Sequence, residues 1–497
     1  MDEFTTTTLL YTSLALFLIY VIFKRFSKKQ QHYHLPPSPG LALPLIGHLH
    51  LLKPPIIQAL QRVPEKYGPI ISVKLGSRIF VVVSSYKLVE ECFTKNDVVF
   101  SNRPTSMLDD YIGYDRTTLA NAPYGPLWRS LRRLAATEVL STTRVAAFTR
   151  TRQDEVMRTL KSLISPDRKY TKVEVRPKLF ELFFNITMMM LAGRRYSTGD
   201  EQSERFRELM DEFFKHAHAT IPEDFLPILR WIDFTGLKKK MEAVGKNLDE
   251  FYQGLLEDHR KEKRNTIIGH LLSLQESDPE FYSDKTIKGF LTSTIIGSTD
   301  TSVVTLEWTV ALLLNHPHVL QKAKAELDSQ IGHHRLLEEQ DLPNLPYLRN
   351  IIYESLRLCP PGPFPLPRES SADCKLGGYD IPHGTTLLVN ATSIHRNPKL
   401  WADPLTFKPE RFEGREADAQ QLMAFGMGRR SCPGMSTAYR LMGLALGSLI
   451  QCFDWERVNM DELIDLTPEE SGLTTPISNP LFAMFKPNEI MLKVIQE

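Results

Sequence analysis

A mainly helical body with a minor β region, held as one large domain behind a single N-terminal transmembrane helix, is the architecture this sequence predicts. Three observations carry it. Residues Phe4 to Phe23 contain no charge. From about Leu88 to Gln330 the apolar pattern is mainly helical, broken by polar or proline-rich joints. Strand signals cluster before Leu88 and return only after Pro360, with no internal repeat and no boundary that splits the body.

In chain order, the uncharged run comes first. Its twenty residues, at 1.5 Å rise, span about the 30 Å of a hydrocarbon core. Asp2 and Glu3 precede it and Lys24, Arg25, Lys28 and Lys29 follow, which places the body on the cytosolic side. A cleaved secretory signal would need a basic start and a small-residue cleavage site, and neither is there. The segment 4–23 is therefore read as an anchor. Segment 24–45 is a basic, proline-rich linker whose Leu35-Pro-Pro-Ser-Pro-Gly40 run favours an extended connector. Residues 46–497 form the body.

Ile70–Leu75, Gly76-Ser77 and Arg78–Val83 read as a β-hairpin on a tight turn. Met241 to Lys263, Phe290 to Asn315 (stopped by His316-Pro317), Tyr347 to Leu358 and the apolar run from Met435 to Phe453 read as helices, and Thr385–Val389 as a strand. Phe225 to Ile232, apolar at nearly every position, is either a bilayer-dipping loop near a substrate entrance or an ordinary packed loop. With a cytosolic body, the sequons at Asn185 and Asn390 are chance matches.

Composition sets outer limits. Of 497 residues, 42% are apolar and 24% charged, so the chain can bury a large core. The net charge of +1 leaves no basic excess to support nucleic-acid binding. Five scattered cysteines do not make a disulfide scaffold.

The chemistry concentrates in Phe425-Gly-Met-Gly-Arg-Arg-Ser-Cys-Pro-Gly434. A lone cysteine beside a turn is ordinarily a core residue. Here Phe425, Gly428, Arg430, Cys432 and Gly434 stand together at one spacing. A thiolate at 432 can ligate iron, Gly428 and Gly434 let backbone lie close to a flat cofactor, and Arg430 offers a fork to an acidic group. Three other groupings accompany it: Glu354 and Arg357 at i, i+3 with Arg411 in Pro409-Glu-Arg-Phe412; Gly297-Ser-Thr-Asp-Thr-Ser302 within an apolar helix; and Trp128 with Arg132 one helical turn apart. Each alone has an ordinary structural reading. The set does not.

Together these motifs resemble the cytochrome P-450 family across essentially the whole chain. With the Phe100-Ser-Asn-Arg-Pro104 segment, they look most like the plant microsomal group that includes isoflavone hydroxylases. The resemblance implies the cytochrome P-450 fold and haem b held through the Cys432 thiolate. It gives Trp128, Arg132, Arg368 and Arg430 the haem propionates, and makes Glu354, Arg357 and Arg411 a buried structural charge cluster. Thr301 and Asp300 become the catalytic pair that steadies bound oxygen and relays protons. It also implies insertion of one oxygen atom from dioxygen into a small apolar substrate. Electrons would come from NADPH through a separate cytochrome P-450 reductase, because this chain carries no dinucleotide fingerprint. Arg429 and Lys399 are expected docking points for that partner. The expected location is the endoplasmic reticulum membrane. One departure is Ser298, where the family usually has glycine, and its hydroxyl is expected to touch the oxygen groove or substrate. By analogy the pocket takes in Gly297, Ser298, Phe364, Leu366, Leu473 and Thr474, for a flavonoid, lignan or terpenoid. Closure of a methylenedioxy bridge, reductase-independent rearrangement of a hydroperoxide and a non-catalytic haem-binding scaffold are the alternatives.

Overall fold

The computed structural model describes Ser13 and residues 33–52, 59–61, 66–196, 201–216, 222–226, 229, 236–469 and 472–496. The expected anchor, Ser13 apart, and linker residues 24–32 lie outside this set. Among the described residues no helix is long and apolar enough to cross a membrane.

The described part of the linker is tied to the sheet: the Ser72 N–H and hydroxyl donate to the carbonyls of Pro37 and Pro36 at 2.8 and 2.7 Å. The hairpin forms with the expected limits, β1 (Ile70–Leu75) pairing antiparallel with β2 (Arg78–Val83). Its turn residue Gly76 has φ 58°, and a Cβ there would overlap the Phe225 carbonyl. Phe225 itself is buried with its ring 5.6 Å from that of Phe80. Of the remaining apolar loop, residues 227, 228 and 230–232 lie outside the described set.

β2 continues in parallel with β7 (Thr386–Val389), which pairs with β4 (Arg368–Glu369), giving the sheet order β1-β2-β7-β4. β5 (Cys374–Leu376) and β6 (Tyr379–Ile381) make a two-stranded sheet. A strand absent from the sequence reading, β3 (Thr171–Glu174), sits inside the mainly helical region. It joins β8 (Phe453–Arg457) and β9 (Phe482–Pro487) in the order β3-β9-β8. The pairing partner lies some three hundred residues on, which no local pattern reveals.

Helices supply the bulk: α1 (Tyr86–Phe93), α2 (Pro126–Leu134), α3 (Val175–Ala192), α4 (Leu237–Lys261), α5 (Asp284–Asn315), α6 (Pro346–Leu358) and α7 (Met435–Cys452). α5 runs through the centre of the main apolar cluster, which also takes in residues of α2, α3, α4, α6 and α7. It begins six residues before its apolar run, because the Ser283 side chain caps it by accepting from the Thr286 N–H. Asn185 and Asn390 are both fully buried. Asn185 accepts from the Tyr196 N–H at 2.8 Å, and Asn390 caps a short helix through the Ser393 N–H at 3.0 Å. Neither side chain is open to a glycan.

Candidate active site

The loop before α7 is closed by the Cys432 N–H donating to the Phe425 carbonyl at 2.8 Å. The Phe425 ring lies 5.0 Å from that of Tyr439 on α7. Burial pushes the Cys432 thiol up, whereas N–H groups of Gly434 and Met435 and the Arg132 guanidinium favour the thiolate. Sulfur at the start of an 18-residue helix also feels its positive end.

Gly428, with φ 72°, is required by the fold itself: a Cβ there would overlap Asp97 Oδ1 and touch Phe93. Asp97 accepts from the Arg429 N–H at 3.1 Å and from its Nε at 2.9 Å. It thus latches the loop and pairs with Arg429, whose side chain stays about half exposed. Lys399 remains exposed. Gly428→Ala is expected to cost about 1–3 kcal/mol from left-handed backbone and overlap. A lowered midpoint of thermal unfolding, partly restored by adding Asp97→Ala, is the check.

Around this loop stands a group of buried cations. Arg430 donates to the Ser101 carbonyl at 2.8 Å and stacks 4.5 Å from the Trp128 ring. Burial, with Arg368, Arg116 and Arg132 nearby, depresses its pKa to about 9. Arg368 donates to the Met427 carbonyl at 2.9 Å and Arg132 to the Ser431 carbonyl at 2.7 Å. Arg103, given no role of its own in the sequence reading, donates to the carbonyls of Ala120, Leu366 and Pro367 at 2.6–2.9 Å. Among the described residues none of these four arginines forms an ion pair with a carboxylate. The Trp128 indole N–H is buried without an acceptor. Several desolvated cations and an orphaned donor beside a cysteine sulfur call for an anion. The two propionates of a haem would answer that requirement and its iron would take the sulfur, so the donor set fits the group.

Above the loop, α5 presents alternating faces. Gly297 and Thr301, at i and i+4, border a cavity of about 360 Å³ with Phe364, Leu366, Leu473 and Thr474. The Thr301 hydroxyl donates to the Gly297 carbonyl at 2.9 Å. Asp300 points elsewhere: it is 2% exposed, accepts from Arg176 at 3.1 Å and takes the Thr474 hydroxyl at 2.6 Å. Burial raises its proton affinity against those two partners. Arg176 also pairs with Glu307 at 3.2 Å, one more pair of helical turns along α5. Thr474 is thereby committed to the acid as well as to the cavity.

Ser298 is a correction. Its hydroxyl shares a hydrogen bond of 2.9 Å with Thr187 on α3 and does not border the cavity. One residue along a helix turns about 100°, so the neighbour of a cavity-facing glycine faces the adjacent helix.

Glu354 is fully buried and joins two arginines: Arg357 at 2.7 and 2.9 Å, and Arg411 at 2.9 Å. Arg357 also donates to the His395 carbonyl at 2.7 Å. His395 is held neutral, its pKa depressed to about 3 by burial and Arg357. Its Nε2 accepts from the Met423 N–H at 2.8 Å, linking the cluster to the start of the cysteine loop. Asp97, Arg176, Glu307 and His395 carry no local motif and are recognised only by what folding places next to them, whereas Arg103 sits in the Phe100–Pro104 segment already singled out in the sequence.

A helical fold with a cysteine loop under a cavity, ringed by anion-seeking cations, defines the haem-thiolate class. The chain belongs to the cytochrome P450 family, whose model matches residues 36–484. It is 51% identical over 497 residues to cytochrome P450 81Q32 of Catharanthus roseus, covering 99% of each chain. It is 48% identical over 500 residues to the (+)-piperitol/(+)-sesamin synthase of Sesamum radiatum, covering 98% of each. To an isoflavone 3'-hydroxylase of Medicago truncatula it is 47% identical over 467 residues, covering 91% of this chain and 92% of the other. It is a cytochrome P450 monooxygenase.

Proposed function

We propose that this enzyme inserts one oxygen atom from dioxygen into a C–H bond of an apolar plant specialised metabolite, a flavonoid or isoflavonoid, a lignan or a terpenoid. The observation that carries the reading is the cation cluster with the orphaned Trp128 N–H around the Cys432 loop, directly beneath a 360 Å³ cavity. A haem, when bound, supplies the oxygen activation. Cys432 would hold it by sulfur; Arg132, Arg368 and Arg430 would neutralise its carboxylates and the Trp128 N–H would donate to one of them; Glu354, Arg357 and Arg411 keep the loop in register. Thr301 Oγ holds a proton at the cavity, and Asp300, in contact with half-buried Arg176, connects that helix face toward solvent. NADPH serves through cytochrome P-450 reductase, and the 4–23 segment anchors the body to the endoplasmic reticulum membrane.

A second outcome on the same scaffolds, closure of a methylenedioxy bridge, is favoured by one finding: a relative at 48% identity is named a synthase rather than a hydroxylase. Microsomes containing the enzyme and a reductase, fed isoflavonoids, lignans and di- and triterpenoids, separate the two by mass. Hydroxylation adds one oxygen; bridge closure removes two hydrogens. Absence of NADPH-dependent product from every scaffold would contradict the reading.

Thr301→Val leaves the helix intact and removes one hydroxyl. Product per NADPH consumed is expected to fall by about tenfold or more, within the range for loss of a positioned proton donor. Measuring both quantities in one assay is the check. A hydroperoxide rearrangement would need no NADPH, and a scaffold would have no turnover to lose.

A further inference from the structure

Several segments give the cavity polar lining, and one of them carries a buried carboxylate. The chain from Ser106 to Asn121 contributes Asp109, Thr118 and Asn121. Asp109 and Thr118 are 3% and 4% exposed. Asp109 receives only neutral donors, Asn121 Nδ2 at 2.8 Å and the Ser106 N–H at 3.0 Å. Its nearest cation, Arg116, stands 3.8 Å away and instead donates to the Arg103 carbonyl at 2.6 Å. A buried carboxylate so placed has lone pairs to spare. Burial raises its proton affinity accordingly. The Thr118 hydroxyl accepts from the Asn121 N–H at 3.2 Å and, among the described residues, donates to nothing. Asn121 Oδ1 likewise accepts nothing among them. One corner of the cavity therefore holds an unused donor and unused acceptors side by side.

The position of this corner is set by α5. The Leu119 N–H donates to Ser293 Oγ at 3.0 Å. Ser293 precedes Thr301 by eight residues, which at helical rise is about 12 Å. Tyr114, Asp115 and Arg116, with φ of 48°, 53° and 63°, form a run of left-handed non-glycine backbone beside it. Arg116 and a Lys285–Asp115 ion pair hold that run in place.

We propose that Asp109, Thr118 and Asn121 form a subsite for a neutral aromatic hydroxyl, so that the preferred substrate is a phenol whose oxidised carbon lies at the opposite end of the molecule. The phenol O–H donates to the Asp109 carboxylate while its oxygen accepts from the Thr118 hydroxyl. Two linked aromatic rings span the distance from this corner to Thr301. A methyl ether has no proton to give, and a carboxylate set against Asp109 would meet like charge there. The inference rests on the monooxygenase reading of the cavity and narrows its substrate class to hydroxylated diaryl compounds.

Calorimetric titration of the holoenzyme with a monohydroxylated isoflavone and its methyl ether tests it without turnover. The wild type is expected to bind the phenol about tenfold or more tighter than the ether, the scale of a hydrogen bond to a charged group. Asp109→Asn should reduce that ratio to about threefold or less. Thr118→Val removes only a hydroxyl that either ligand's oxygen can accept from, so it should weaken both severalfold and leave the ratio, and this shared loss decides the matter if the Asp109 variant does not fold. Equal binding of both ligands by the wild type, or tighter binding of the ether, overturns the subsite alone. So does a phenol affinity unchanged in Thr118→Val. Failure of both ligands to bind the wild type overturns the subsite and the diaryl substrate class together.

Discussion

Glu354→Ala is expected to accumulate as protein without haem. Glu354 and Arg357 have fully buried side chains and Arg411 is 7% exposed, so the carboxylate is the common counter-ion of two desolvated guanidiniums. Removing one member of such a cluster costs about 3–5 kcal/mol. That is a large part of the roughly 5–15 kcal/mol that holds a domain together. The damage also has a route to the cofactor loop. Arg357 braces the His395 carbonyl, and His395 receives the Met423 N–H just ahead of Phe425. Glu354→Gln keeps the shape and one acceptor, loses the charge and turns an NH2 donor toward the guanidiniums, and should fall between wild type and alanine. Haem per polypeptide, measured beside the midpoint of thermal unfolding, reads both effects. Full haem occupancy in Glu354→Ala would contradict the structural role of the cluster.

Cys432→Ser removes the largest single contribution to activity. A serine hydroxyl does not ionise near neutral pH and is a harder ligand than sulfur, so the iron loses its electron-rich partner. Losses of supporting residues around a metal already cost about 10- to 100-fold, and loss of the ligand itself is expected to exceed the upper figure. The N–H groups of Gly434 and Met435 would then address an oxygen that carries no charge. Turnover in reductase-containing microsomes, normalised to folded protein, is the measurement.

The hairpin and the ends of the long helices were legible because they depend on neighbours in sequence. β1 and β2 match the alternating runs on either side of Gly76-Ser77, and α5 stops where His316-Pro317 requires. β3 was not legible, since its four residues become a strand only against β9. Within the candidate site, the cysteine loop, the i, i+3 charge pair and the Trp128–Arg132 pair all announce themselves by spacing. Which way a helical side chain faces is also written in the spacing. The 100° step separates Gly297 and Thr301, on the cavity, from Ser298 on α3 and from Asp300 and Glu307 on Arg176. Asp97 is another kind of case: Gly428 signals a close approach, yet only the folded chain shows that a carboxylate stands against it.

The most direct test of a sulfur-bound haem is the Soret spectrum of the reduced protein under carbon monoxide. Purified wild type should display the red-shifted band of thiolate ligation, and Cys432→Ser, loaded with haem to the same level, should lack it. A folded, haem-replete wild type without that band, or a serine variant that keeps it, would contradict the assignment of the iron to Cys432.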